Sequence, residues 1–126
     1  MKLHKSQTAS QPALEYIPAA TATAYKVGMG LTLGETATKV AATAVPEYIC
    51  MAEVTGATSI PAIRVLAGET YEAKLSAAGT ALKVGDKVTI DADGIRVTAT
   101  TASGVAKIVG FATELKAAGD GVYIKF

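Results

Sequence analysis

The chain has 126 residues, half of them hydrophobic, with no tryptophan, one cysteine and one histidine. Twelve Lys and Arg against eleven Asp and Glu leave a formal charge of +1 at pH 7, with no run of three like charges, so the clustered basic footprint of a nucleic-acid binder is missing. A length of this order supports one domain with its own core, built here from Val, Ile, Leu and Ala because aromatics are few; one cysteine excludes an internal disulfide and fits a reducing compartment.

The opening MKLHKSQTASQPAL has no apolar h-region, so no secretory signal is expected there. No apolar stretch approaches the roughly 20 residues of a membrane-spanning helix, and no membrane association is expected. Residues 1–24 are rich in Ala, Thr, Ser and Gln, with Pro12 and Pro18, and lack a stable periodicity. They are expected to form an extended, flexible arm, with the β-rich domain running over 25–126. Leu14, Tyr16, Ile17 and Pro18 are the arm's apolar contact candidates, either packing on the parent domain or docking on a partner by strand addition.

From Tyr25 onward the punctuation is regular. Tyr25 to Leu33 reads as a strand interrupted by Gly28 and Gly30, and Thr38 to Thr43 as a weak strand or loop. Glu47 to Val54 alternates, with Tyr48, Cys50, Ala52 and Val54 on one face and Glu47, Ile49, Met51 and Glu53 on the other. Ile60 to Leu66 and Thr70 to Leu75 flank Ala67-Gly68-Glu69 as a hairpin candidate, with Tyr71, Ala73 and Leu75 facing inward.

The clearest signal runs from Lys87 to Thr100. Val88 and Ile90 alternate with Lys87, Thr89 and Asp91; past Asp91-Ala92-Asp93-Gly94, Ile95, Val97 and Ala99 alternate with Arg96, Thr98 and Thr100. Period-two alternation across a D-G turn predicts a β-hairpin. Val105 to Thr113 is apolar on both faces and predicts a central, doubly covered strand. Thr113 to Ala118 is the one helix candidate, and Val122, Ile124 and Phe126 close the chain as an alternating strand. Short strands with regularly spaced turns predict an all-β sandwich or barrel-like domain of short antiparallel strands.

Chemistry-bearing constellations are sparse. His4 is the one histidine, placed in the expected arm, where nothing would hold it rigidly as a triad member or ligand. Cys50 falls on an apolar strand face with no cationic neighbour, as a buried small hydrophobe does. Asp91-Ala92-Asp93-Gly94 opens like a calcium loop, but Ile95 and Ala102 stand where that loop needs oxygen ligands, so a side-chain-capped turn is the better reading. LKVGDKV echoes the biotinyl and lipoyl carriers, yet the hairpin tip holds aspartates and no lysine. No catalytic, cofactor or metal site is therefore assigned, and an enzyme is not expected.

The pieces Gly85-Asp86-Lys87-Val88, Asp93-Gly94 and Gly110-Phe111-Ala112, set in an Ala/Thr/Gly-rich all-β chain, resemble the capsid decoration, or cement, proteins of tailed bacteriophages. The likeness runs from about Ile60 to the C-terminus. It implies a structural virion protein, assembled in the host cytoplasm, on the outer surface of an expanded capsid. It further implies the major capsid protein as partner, a homo-oligomer with the trimer favoured, and head stabilisation by bridging capsid subunits. Leu14, Tyr16, Ile17 and Pro18 are then the capsid-binding candidates. The alternative is a fibre or adhesin-like module recognising surface carbohydrate or another protein; the lack of Trp and Asn counts against the carbohydrate version.

Overall fold

The computed structural model describes residues 1–5, 12–101 and 103–126. Its strands are β1 (Lys2–Lys5), β2 (Leu14–Pro18), β3 (Ala24–Tyr25), β4 (Gly30–Leu33), β5 (Ala37–Lys39), β6 (Tyr48–Cys50), β7 (Val54–Thr55), β8 (Ser59–Arg64), β9 (Thr70–Lys74), β10 (Lys87–Ile90), β11 (Val97–Ala99), β12 (Ala106–Phe111) and β13 (Gly121–Lys125). The protein is all-β and sandwich-like, with no helix among the described residues. A six-stranded sheet runs β1-β9-β13-β12-β10-β11, a five-stranded sheet β2-β8-β6-β4-β5, and β3 pairs with β7. Strand pairings are antiparallel. Two isolated parallel bridges add to these pairings: Ala19 meets Ala37 of β5, and Leu75 meets Val97 of β11.

Two apolar cores follow from side-chain alternation. The larger gathers Tyr71, Val88, Ile90, Val97, Ile108 and Ile124 from the six-stranded sheet, together with Ile49 and Ile63 from the five-stranded one. The smaller holds Ile17, Tyr25, Leu31, Tyr48, Cys50 and Ile60. Ile49 and Ile63 thus point to one core while their strand neighbours Tyr48, Cys50 and Ala62 point to the other. The doubly covered strands are β6 and β8. In β12, expected to be covered on both faces, Lys107 and Val109 are exposed, and a register irregularity between Ile108 and Gly110 marks a bulge.

The Lys87 to Thr100 hairpin forms with Val88 opposite Ala99, Thr89 opposite Thr98 and Ile90 opposite Val97. Gly94 takes φ +75°, which an L side chain rarely adopts. Asp93 Oδ1 accepts from the N–H groups of Ile95 and Arg96 at 2.8 and 2.9 Å, capping the turn.

Other expectations are corrected. Residues 2–5 and 14–18, read as parts of a free arm, are strands of the two sheets, so the boundary at residue 24 separates no strand set; residues 6–11 lie outside the described residues. The segments flanking Ala67-Gly68-Glu69 do not pair with each other. β8 belongs to one sheet and β9 to the other, and the chain crosses between them there, with Gly68 at φ +87° and the Leu66 N–H donating to Tyr71 Oη at 3.0 Å. Tyr25 to Leu33 divides into β3 and β4 around Gly28, at φ +83°. The helix candidate at 113–118 is irregular backbone. Lys116 sits at φ +51° and its Nζ donates to the Leu82 carbonyl at 2.6 Å, while Asp120 Oδ2 accepts from Ala117 N.

Met1 is buried, and its ammonium donates to the Gly28 carbonyl at 2.6 Å. Burial pushes the amine down from 8.0 to about 6, against the opposing pull of Asp93 and Glu72. A folded-state pKa below the unfolded one means that the unfolded chain binds the extra proton as the pH falls. Stability of this chain should therefore rise by about 2 kcal/mol between pH 6 and pH 8, the range bounded by the two pKa values. Urea unfolding at the two pH values checks this; equal midpoints would refute it.

Candidate partner-binding surface

The sequence LEYIP suits a strand that ends where Pro18 has no N–H to give. It pairs with β8 alone, Leu14 opposite Ile63, Tyr16 opposite Pro61 and Ile17 opposite Ile60. Along Leu14–Ile17 the other edge of β2 has no strand partner among the described residues; past its Pro18 end Ala19 bridges to Ala37 of β5, so the stretch open to strand addition is the one that carries Leu14 and Tyr16.

Alternation divides the predicted contact residues. Ile17 is 3% exposed and belongs to the smaller core, whereas Leu14 is 52% and Tyr16 71% exposed. Pro18 is exposed at the strand end. Leu14 and Tyr16 share the sheet face of Ile63 and Ile49, the face that the larger core covers further in. At β2 that cover has run out.

Met51, 42% exposed, extends the patch: its N–H donates to the carbonyl of Pro61, the residue opposite Tyr16, at 2.9 Å. Leu14, Tyr16, Pro61 and Met51 thus form an apolar surface across three strand lines. Sequence reading placed Met51 on the face of Ile49 but linked neither it nor Pro61 to Tyr16, because strand order is not written in one strand's pattern. On the opposite face Glu15 lies 3.4 Å from Arg64, whose Nη2 also donates to Tyr48 Oη at 2.6 Å. These contacts tie β2 to β8 and β6 from behind the patch.

The other singled-out residues occupy structural roles. His4 stacks on Tyr123, ring centroids 4.1 Å apart and 22° from parallel. Cys50 is fully buried; burial pushes its thiol up, and the S–H donates to the Ala52 carbonyl at 3.0 Å. Asp91 and Asp93 both pair with Arg96. Burial pushes the Asp93 carboxyl up, but the Arg96 and Ile95 N–H groups and the Arg96 guanidinium outweigh it and hold the carboxyl below its ordinary value. Among the described residues no group of three or more His, Cys, Asp or Glu could hold a metal ion.

No protein-family model matches the chain, and a search of curated proteins finds no relative of it.

Two substitution sets check this division of labour. Ile17→Ala should cost about 2–4 kcal/mol in urea unfolding, whereas Tyr16→Ser should stay within about 0.5 kcal/mol. A large loss from the Tyr16 change would show that its ring packs within the chain. Asp93→Ala should cost about 1–2 kcal/mol, because two turn N–H groups lose their acceptor; an unchanged unfolding midpoint would remove the capping role.

Proposed function

We propose that the protein is a non-enzymatic structural component of a tailed-phage particle. It docks on the outer surface of the expanded capsid, bridges major capsid protein subunits and acts as a homotrimer. The observation that carries this reading is the pairing of an open β2 edge with the exposed apolar surface of Leu14, Tyr16 and Met51. A strand added to that edge would gain main-chain hydrogen bonds, and side chains at alternate positions would meet the apolar patch. Three copies held together would engage three equivalent sites and multiply a modest single-site affinity through effective concentration. Cross-linking of neighbouring subunits would then oppose outward pressure on the shell. No cofactor enters this function.

Co-sedimentation of the purified protein with expanded capsids from the same source tests it, reading bound copies per capsid subunit. Saturation at a fixed ratio is expected, with Leu14→Glu/Tyr16→Glu weakening binding by about tenfold or more. Point substitutions are preferable to deleting residues 1–20, because that deletion removes β1 and β2 from their sheets. A folded protein that leaves capsids bare would overturn the proposal and move a fibre or adhesin-like module to first place.

A further inference from the structure

Lys87, Lys107 and Lys125 face one another across three adjacent strands. Lys87 is directly opposite Lys107, and Lys107 is directly opposite Lys125. Opposed residues share a sheet face, and the alternate positions Val88, Ala106, Ile108 and Ile124 are buried inside, so the three ammonium groups form a row on the outside. Like charges directly opposite destabilise a strand pair. None of the ion pairs among the described residues includes any of the three. Lys2 and Lys74 add to the same outer face, where Glu72, 3.3 Å from Lys2, is the one acidic residue in the six strands. The whole chain carries only +1, so this face is a segregation of charge.

Beside the lysine row opens a shallow hollow of about 500 Å³, walled by Val105, Val109 and Phe126 as well as the three lysines. Cationic row and apolar wall together ask for a ligand carrying both carboxylates and apolar groups. Nucleic acid is the competing polyanion, and single strands are held by bases stacking on free aromatic faces. The aromatics here are occupied. Tyr123 lies under the His4 ring and so close to Gly110 that a Cβ there would sit 3.2 Å from Cδ2. Phe126 is partly buried against Tyr71, ring centroids 5.5 Å apart.

We propose that the outer face of the six-stranded sheet is a binding site for an acidic polypeptide segment of a partner protein. Its carboxylates pair with Lys87, Lys107 and Lys125, and its apolar side chains enter the neighbouring hollow. The site is on a different sheet from the β2 edge and stands whether or not that edge docks on a capsid.

The test is fluorescence anisotropy of the full chain with a labelled peptide of alternating glutamate and valine at low salt, with a labelled oligothymidylate of equal charge alongside. Saturable peptide binding is expected, weakened about tenfold or more by Lys107→Glu at the centre of the row and falling as salt rises. Lys26→Glu, the same charge change between β3 and β4, should leave it unaltered. Because Lys107→Glu relieves a like-charge contact, its melting temperature should be unchanged or raised, which separates lost binding from lost folding. Absence of saturable peptide binding would overturn the proposal. So would an equal loss from Lys26→Glu, which would reduce the effect to net charge, or tighter binding of the oligothymidylate through the same lysines.

Discussion

Burial of both faces of β6 and β8 is the constraint on which the rest of the molecule depends. Along Tyr48-Ile49-Cys50 every side chain is buried, the middle one in the larger core and the outer two in the smaller. Along β8, Ile63 goes one way and Ile60 and Ala62 the other. Two adjacent strands therefore form a wall common to both cores, and neither core can be repacked without pressing on the other. The small volumes of Cys50 and Ala62 fit this arrangement, since interiors at native density tolerate added methylenes poorly. Tyr25 braces the smaller core: its hydroxyl donates to the Ala37 carbonyl at 2.7 Å and accepts from Ala20 N at 2.9 Å. The same tyrosine thereby ties β3 to the region where the edges of the five-stranded sheet approach one another.

The β2 edge at Leu14 and Tyr16 and the outer face of the six-stranded sheet lie outside both cores and are open to other uses. The β2 edge and the lysine-bearing face differ in physical character. The first offers backbone groups and apolar area, whose attraction depends little on ionic strength. The second offers charge in high dielectric, which salt screens over about 8–10 Å. A protein holding two neighbours through both would set contact strength by one surface and orientation by the other, because charge complementarity governs encounter and register more than raw affinity. That division accords with the proposed bridging role and requires no buried reactive group.

Local pattern carried much of the fold and little of the surface. The hairpin from Lys87 to Thr100 was legible because both its strands and its turn lie within one short window, and Asp93 and Gly94 are the residues such a turn requires. The Ala67-Gly68-Glu69 turn carries a similar signature, yet the chain there passes from one sheet to the other. A glycine turn states that the chain changes direction, not which strand it meets next. The all-β class survives this error, since either connection uses the same strands. In the candidate site, period-two reasoning explains why Ile17 is buried and Tyr16 exposed, but the reading of residues 1–24 as aperiodic obscured that alternation. Nothing near Leu14 in sequence points to Met51 or Pro61. Their adjacency comes from strand order.

The same limit governs charge. A search for runs of like charge finds no basic patch in this chain, and its net charge of +1 reinforces that impression. Runs are an appropriate signal for arms and tails, where neighbours in space are neighbours in sequence. A sheet assembles its faces differently: alternate residues of one strand meet alternate residues of strands far away in the chain. Lys87, Lys107 and Lys125 each occur singly among uncharged residues of their strands, and antiparallel register alone sets them side by side. Repulsion among these like charges opposes folding and makes such a row informative, since one exchange of Lys107 for a neutral polar residue would relieve both like-charge contacts at once. In a β protein, cross-strand register is therefore the level at which a charged surface becomes readable.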